Sequence, residues 1–238
     1  MNYRFMLSAA LAATTAGISN ADVAGLVQSN SYYQADGTTK TDLSSAAYAV
    51  VDLFLDFSAT GTDGYPVEDA FLLNMYGVNV TARGFSEFNQ SDLTEDGSWL
   101  PSFTLPVADA KPNIDSFVTI GTPSPSEAPN ATALDPNFGS GTNAEIFGTD
   151  IGWYAPPIRE QGGVDDNLQV WVGRFAVTGE EARQGANFTM TGIAGYYYGA
   201  GTGPFSGEAE GTFSFIPAPG MLAACGIGGL LGIRRRRR

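Results

Sequence analysis

Apolar and polar residues alternate through most of the middle of the chain, and this period of two predicts β-strands. The clearest case is residues 47–57, where every second position is apolar: Val51, Leu53, Leu55 and Phe57. The intervening positions, Asp52, Phe54 and Asp56, suit the other face of a half-buried strand. Further strands are predicted over residues 70–81, 115–120, 167–177, 186–198 and 211–215.

Three local features refine these strands. Gly77 interrupts the apolar run of residues 70–81 and predicts a bulge or bend there. In residues 167–177 the alternation places Leu168, Val170 and Val172 on one face, and Trp171, Phe175 and Val177 on the other. The run Tyr196-Tyr197-Tyr198 predicts one ring pointing inward and two outward.

Short strands, long loops and 30 glycines, with no sustained helical period, predict an all-β body. A single β-sandwich is the expected architecture, and a jelly roll is one topology that fits. The modest exception is a short helix over residues 179–184. Strand order is left open by the pattern, and no internal repeat of fixed period is visible.

The C-terminal segment has a different composition. Residues 221–233 are 13 uncharged residues, preceded by Pro217-Ala218-Pro219-Gly220 and followed by Arg234, Arg235, Arg236, Arg237 and Arg238. As a helix this segment is about 20 Å long, short for a membrane. Phe213, Phe215 and Ile216 would extend its apolar reach, and arginine stems can snorkel at the other end. A short C-terminal transmembrane helix is therefore expected, with the arginines on the cytoplasmic side.

This tail resembles the PEP-CTERM sorting signal of exported Gram-negative proteins, which combines a Pro-Glu-Pro-like motif, a short transmembrane helix and an arginine cluster. Pro217, Pro219 and the five arginines match that pattern, whereas Ala218 stands where the family has glutamate. The resemblance implies that an exosortase-type membrane protease acts near residues 217–220. It also implies a transient stay in the inner membrane before release to the cell surface or extracellular space.

The N-terminus independently indicates export. Residues 1–4 carry Arg4, residues 5–18 are uncharged and mostly apolar or small, and Ser19-Asn20-Ala21 precedes Asp22. This is the pattern of a secretory signal peptide, with cleavage expected between Ala21 and Asp22. The chain thus divides into a signal peptide (1–21), a β-sandwich body (22–212) and a sorting and anchor segment (213–238).

Charge and composition exclude several functions. Residues 22–210 hold all 25 acidic residues and six basic ones, a balance of −19 that argues against nucleic-acid binding. The chain has no histidine, and its one cysteine, Cys225, lies in the apolar tail. The body therefore cannot form a disulfide, a Ser-His-Asp triad, a Cys-His dyad or a histidine-ligated zinc site. No cofactor is predicted.

The remaining candidates for chemistry are aromatic and acidic residues. Trp153-Tyr154, beside prolines, is the candidate carbohydrate contact because we expect it in an exposed loop, whereas Trp171 is expected in the core. Acidic turns at Asp63-Gly64 and residues 92–97 are weak calcium candidates without EF-hand spacing. The pairs Asp165-Asp166 and Glu180-Glu181 do not form a ready glycosidase dyad, because adjacent strand residues face opposite ways.

These observations predict a non-catalytic exported protein of the cell surface or extracellular matrix. A polysaccharide- or calcium-binding module, with exopolysaccharide as a partner, is the alternative. A glycoside hydrolase is a further alternative that no particular residue supports.

Overall fold

A computed structural model describes residues 23–57, 65–90, 99–100, 111–121, 132–138, 150–155, 160–199 and 202–216. The strands are β1 (Gly25–Tyr33), β2 (Tyr48–Asp56), β3 (Ala70–Arg83), β4 (Phe117–Val118), β5 (Ala133–Leu134), β6 (Ile151–Tyr154), β7 (Gln169–Thr178), β8 (Asn187–Tyr198) and β9 (Thr202–Ser214). The described residues contain one short α-helix, α1 (Gly179–Arg183), and three single-turn 3₁₀ helices, Val67–Asp69, Pro136–Phe138 and Glu160–Gly162. The prediction of a predominantly β body is confirmed.

The strands form two antiparallel sheets. The four-stranded sheet has the order β1-β2-β7-β4, and the five-stranded sheet has the order β5-β6-β3-β8-β9. The chain crosses repeatedly from one sheet to the other, because β3 follows β2 and β8 follows β7 in the opposite sheet. Strands β1 and β9 are each at the edge of their sheet.

The core lies between the two sheets. One continuous cluster of buried apolar side chains contains residues from both: Val51, Leu53 and Leu55 of β2, Val170 and Phe175 of β7, Leu72 and Met75 of β3, and Phe188 and Met190 of β8. The predicted inward face of β2 is confirmed, since Val51, Leu53, Leu55 and Phe57 are all 0% exposed. Burial of this apolar surface is the main favourable term in folding.

Phe188 is the centre of this core. Its ring lies 5.1 Å from Phe175 of the opposite sheet and 5.5 Å from Phe88, measured between ring centroids. The rings of Phe213 and Phe215 lie 5.4 and 5.7 Å away. Phe188 therefore links the two sheets and the end of β9 in one aromatic cluster.

The predicted irregularity at Gly77 is confirmed. Pairing of β3 with β8 shifts register between Tyr76 and Asn79, and Gly77 has φ 58°. Glycine adopts this left-handed conformation without a Cβ clash, so the bulge forms at the residue that accommodates it best.

The predicted faces of β7 are partly wrong. Leu53 pairs with Gly173 and Phe54 pairs with Trp171, so Val172 is an extra residue in β7. This bulge breaks the alternation, and Phe175 and Val177 join Val170 and Val172 in the core between the sheets. Trp171 is buried as predicted, but it lies on the outer side of its sheet.

The prediction for the tyrosine run is also wrong. Tyr196 and Tyr198 are 1% and 2% exposed, and Tyr197 is half-buried on the outer face. Positions two apart share a face, and here that face is the core. Phe57 meets Tyr196 edge-on at 5.3 Å, which explains the inward position of Tyr196.

The predicted short helix is confirmed at residues 179–183. Thr178 and Glu181 form a capping box, in which the Thr178 side chain accepts from the Glu181 backbone and the Glu181 carboxylate accepts from the Thr178 backbone. No helix within the described residues is long and apolar enough to cross a membrane. The predicted transmembrane segment lies outside those residues.

Truncation of the central ring tests this core. We expect Phe188→Ala to lower the free energy of unfolding by about 3–5 kcal/mol, because the substitution opens a cavity at the contact between the sheets. The urea midpoint of the purified protein measures the loss.

Phe71→Ala is the matched control. Phe71 is half-buried on the outer face and stacks on Tyr197 at 5.0 Å, so its loss should be only about 1 kcal/mol. Equal losses for the two variants would contradict the central role of Phe188.

Candidate functional site

The predicted targeting residues lie outside the described part of the chain. These are the cleavage residues Ala21 and Asp22, the motif Pro217-Ala218-Pro219-Gly220 and the arginines Arg234 to Arg238. The acidic turns at Asp63-Gly64 and residues 92–97 also lie outside it. The described body begins at Val23 and ends at Ile216.

The predicted end of the body, residue 212, is too early. Strand β9 continues to Ser214, and Phe213 and Phe215 are 3% and 0% exposed. Both side chains belong to the core around Phe188, so they do not extend the apolar tail. Only Ile216, 36% exposed, separates Phe215 from Pro217.

Three side chains of β1 hold this end of β9. The Gln28 amide accepts a hydrogen bond from the Ser214 N–H at 3.1 Å and donates one to the Ser214 carbonyl at 2.9 Å. Asn30 Nδ2 donates to the same carbonyl at 2.8 Å, and the Tyr32 hydroxyl donates to the Phe215 carbonyl at 3.0 Å. We call Gln28, Asn30 and Tyr32 the edge clamp.

The edge clamp supplies hydrogen-bond partners to backbone groups at the outer edge of β9. Gln28, Asn30 and Tyr32 pair with Leu53, Val51 and Ala49, which are core residues, so they occupy the inner face of their sheet at its edge. There they reach across to β9, whose outer edge has no neighbouring strand in the described part of the chain. The Gln28 amide thus supplies the donor and acceptor that another strand would supply.

Burial also affects the clamp tyrosine. Removal from solvent raises the pKa of Tyr32 above its ordinary value of 10.0, and its hydrogen bond with Asn30 acts in the opposite direction. The proton therefore stays on the hydroxyl that donates to Phe215 throughout the neutral range.

The predicted carbohydrate contact divides into one buried and one exposed residue. Trp153 is 1% exposed in β6, and its Nε1 donates to the Thr119 carbonyl at 3.0 Å. The expectation that Trp153 is exposed in a loop is therefore wrong, because the alternation of a strand turns it into the core. Tyr154, its neighbour, is 46% exposed on the outer face.

Tyr154 lies on the outer face of the five-stranded sheet. Residues that pair across neighbouring strands form rows on this face, numbered along β3 from Phe71 to Asn79. The second row runs across β6, β3, β8 and β9 and contains Tyr154, Asn74, Gly195 and Ser206. The third row, across β3, β8 and β9, is Tyr76, Ile193 and Glu208, and the fourth is Asn79, Thr191 and Glu210. Phe71 and Tyr197 form the first row. Tyr76 is 42% exposed.

The outer side of the four-stranded sheet is covered differently. Arg174 binds Asp52 through two hydrogen bonds, Nε to Oδ1 at 2.7 Å and Nη2 to Oδ2 at 3.0 Å. Its guanidinium lies 5.1 Å from the ring centroid of Trp171 and 5.7 Å from that of Phe117. This cation–π stack covers Trp171 and explains its burial.

The predicted acid pairs act in local structure. Asp165 Oδ1 accepts from the backbone N–H groups of Asn167 at 2.8 Å and Gln169 at 2.9 Å. Glu181 caps α1. In the exposed loop after β1, the Thr39 side chain and the backbone N–H groups of Thr39 and Thr38 lower the pKa of Asp36. The Ser44 and Ser45 side chains likewise lower the pKa of Asp42.

No three acidic, cysteine or histidine side chains come together as a cation site within the described ranges. Comparison of the chain with protein-family models, with curated proteins and with solved structures found no match.

The edge clamp can be tested at Gln28. We expect Gln28→Ala to lower the free energy of unfolding by about 1–3 kcal/mol, because the Ser214 N–H loses its partner in a half-buried place. Hydrogen exchange at the Ser214 amide should accelerate. Ser29→Ala, at an exposed position of the same strand, is the control and should change neither quantity. Unchanged exchange at Ser214 in Gln28→Ala would argue against the clamp.

The raised pKa of Tyr32 predicts that the free energy of unfolding depends on pH. Because the pKa of Tyr32 is higher in the folded protein, the unfolded chain releases the tyrosine proton at a lower pH. The contribution of Tyr32 to the free energy of unfolding is therefore complete below about pH 10, and it is lost as pH rises through the folded-state pKa. Tyr32→Phe removes this group. The stability difference between wild type and Tyr32→Phe should be constant from pH 7 to 9 and shrink above pH 10, as measured by urea unfolding. A difference that stays constant to pH 11 would contradict this assignment.

Proposed function

We propose that this chain is an exported, non-catalytic protein of the Gram-negative cell surface or extracellular matrix. A signal peptide cleaved between Ala21 and Asp22 directs secretion. A PEP-CTERM-like tail then holds the chain in the inner membrane, with Arg234 to Arg238 on the cytoplasmic side. An exosortase-type protease acts near Pro217 to Gly220 and releases or transfers the body.

One observation carries this proposal. Phe215 is the last core side chain of the described body, and Pro217 follows it with only Ile216 between them. A processing event at residues 217–220 would therefore remove the apolar and arginine-rich segment and leave every core residue in place. The edge clamp supports the same view, since it holds Ser214 and Phe215 directly before the motif.

The body itself is proposed to be a single β-sandwich, for which a jelly roll is one topology that fits. Contact between the rings of Phe175 and Phe188, which come from opposite sheets, and the repeated crossing of the chain between sheets support this class. Such a body is held by packing alone, since it has no disulfide. Its acidic balance suits solubility outside the cell.

Replacement of the two motif prolines tests processing. We expect Pro217→Ala combined with Pro219→Ala to block it, because the extended protease-accessible element before the apolar segment is lost. Intact mass and cell fraction of the protein recovered from its host give the readout. The wild type should end near residues 217–220 in a surface or secreted fraction, whereas the variant should retain Arg238 in the inner membrane.

Pro66→Ala combined with Pro136→Ala is the matched control, since both prolines are exposed and lie within the body. This control should be processed as the wild type is. Wild-type protein that keeps Arg238, or motif variants that are processed and located normally, would overturn the proposal.

A further inference from the structure

We propose that the outer face of the five-stranded sheet binds a neutral polysaccharide chain, with Tyr76 and Tyr154 as stacking surfaces. This inference does not depend on how the chain is exported or processed. It rests on the residues that the register brings together in rows two to four of that face.

The two tyrosines are neighbours. Tyr154 pairs with Asn74, and Tyr76 lies two positions further along β3, which places the two Cβ atoms about 7 Å apart on the same face. Their exposures, 46% and 42%, are the largest among the large apolar side chains of the described residues. Two exposed aromatic rings side by side form a local apolar surface on this face.

Two positions next to these rings, Gly195 and Gly152, have no side chain of their own. Gly195 pairs with Asn74, and a Cβ at Gly195 would collide with the Asn74 side-chain oxygen. Gly152 lies beside Tyr76, where a Cβ would stand 2.8 Å from the Met75 carbonyl and 3.0 Å from the Asp135 carboxylate. At these two points the glycines make room for the Asn74 amide and the Asp135 carboxylate, so polar groups lie beside the tyrosine rings.

Polar side chains on β8 and β9 continue the rows that contain the two tyrosines. Ser206, Glu208, Thr191 and Glu210 are exposed on β8 and β9 in the same rows. Asn74 Oδ1 is buried against Gly195 with no hydrogen-bond partner among the described residues. The serine, threonine and glutamate side chains can exchange hydrogen bonds with sugar hydroxyls, whereas the buried Asn74 oxygen is out of reach of a ligand.

The charges on this face select the kind of polysaccharide. The described residues of rows two to four include Glu208 and Glu210 but no lysine or arginine. The body as a whole holds six basic and 25 acidic residues. An anionic chain would be repelled, whereas the hydroxyls of a neutral chain can donate to these carboxylates.

The same chemistry disfavours a protein partner. Protein interfaces have an apolar centre of several residues with few charges, whereas here the two tyrosines and Ile193 stand among serine, threonine, asparagine and glutamate in rows two to four. A pyranose ring has an apolar C–H face and a polar rim. The combination of exposed rings and hydroxyl-binding side chains matches that shape, since tyrosine itself has an apolar body and a polar tip.

Affinity electrophoresis of the full chain in mild detergent tests the proposal. Native gels would contain hydroxyethylcellulose, galactomannan or mixed-linkage β-glucan as neutral polymers, and alginate as the anionic polymer. We expect retardation by at least one neutral polymer and none by alginate. Tyr154→Ala and Tyr76→Ala should each weaken binding about tenfold, the loss typical of a central aromatic contact. Tyr154→Phe should retain most of the binding.

Tyr65→Ala is the matched control, because Tyr65 is 40% exposed but stacks on Tyr198 rather than on the outer face. It should bind as the wild type does, and thermal unfolding confirms that each variant is folded. The proposal is overturned if no neutral polymer retards the protein, if Tyr76→Ala with Tyr154→Ala binds normally, or if only alginate binds. A dimer in size-exclusion chromatography that both alanine variants abolish would assign the face to self-association instead.

Discussion

The packing of Phe188 against Phe175 across the two sheets is the contact on which the rest of the structure depends. The body has no cysteine, so no covalent link joins the sheets and burial between them must stabilise both. Phe88, Phe213 and Phe215 complete the cluster, and the last two come from the end of β9 and the residue after it. The C-terminal residues of the body are thus part of its centre.

This arrangement explains why the end of the body is held so firmly. Phe215 is anchored by the core, and the edge clamp binds the backbone of Ser214 and Phe215 from the opposite sheet. After Ile216, the next residues in sequence are those of the proposed sorting motif. A body with its last strand held on both sides can lose that motif and the tail beyond it without losing strand pairing. According to the two proposals, the tail directs the protein to the cell surface, and the outer face of the five-stranded sheet binds a polysaccharide.

Sequence reasoning found the strands with an apolar period and missed the others. Strand β1 was not predicted, because its inward positions hold Gln28 and Asn30, whose partners lie some 184 residues away in β9. Prolines follow β6, so the local sequence predicts a loop with an exposed Trp153, whereas the residue is buried in a strand. Tyr154 was correctly expected to be exposed. Its neighbour on the face, Tyr76, could not be identified, because pairing of β3 with β6 joins segments about 80 residues apart.

The sequence by itself determined the predominantly β class, the inward face of β2, the bulge at Gly77 and the capped helix after β7. Each of these depends on residues close together in the chain, through side-chain alternation, glycine backbone freedom or capping. Only the tertiary structure decided which strands pair, where the core extends past residue 212, and how Val172 shifts Phe175 into the core. Those features depend on contacts between distant segments, and a local pattern contains no information about the partner that a strand edge or a side chain meets.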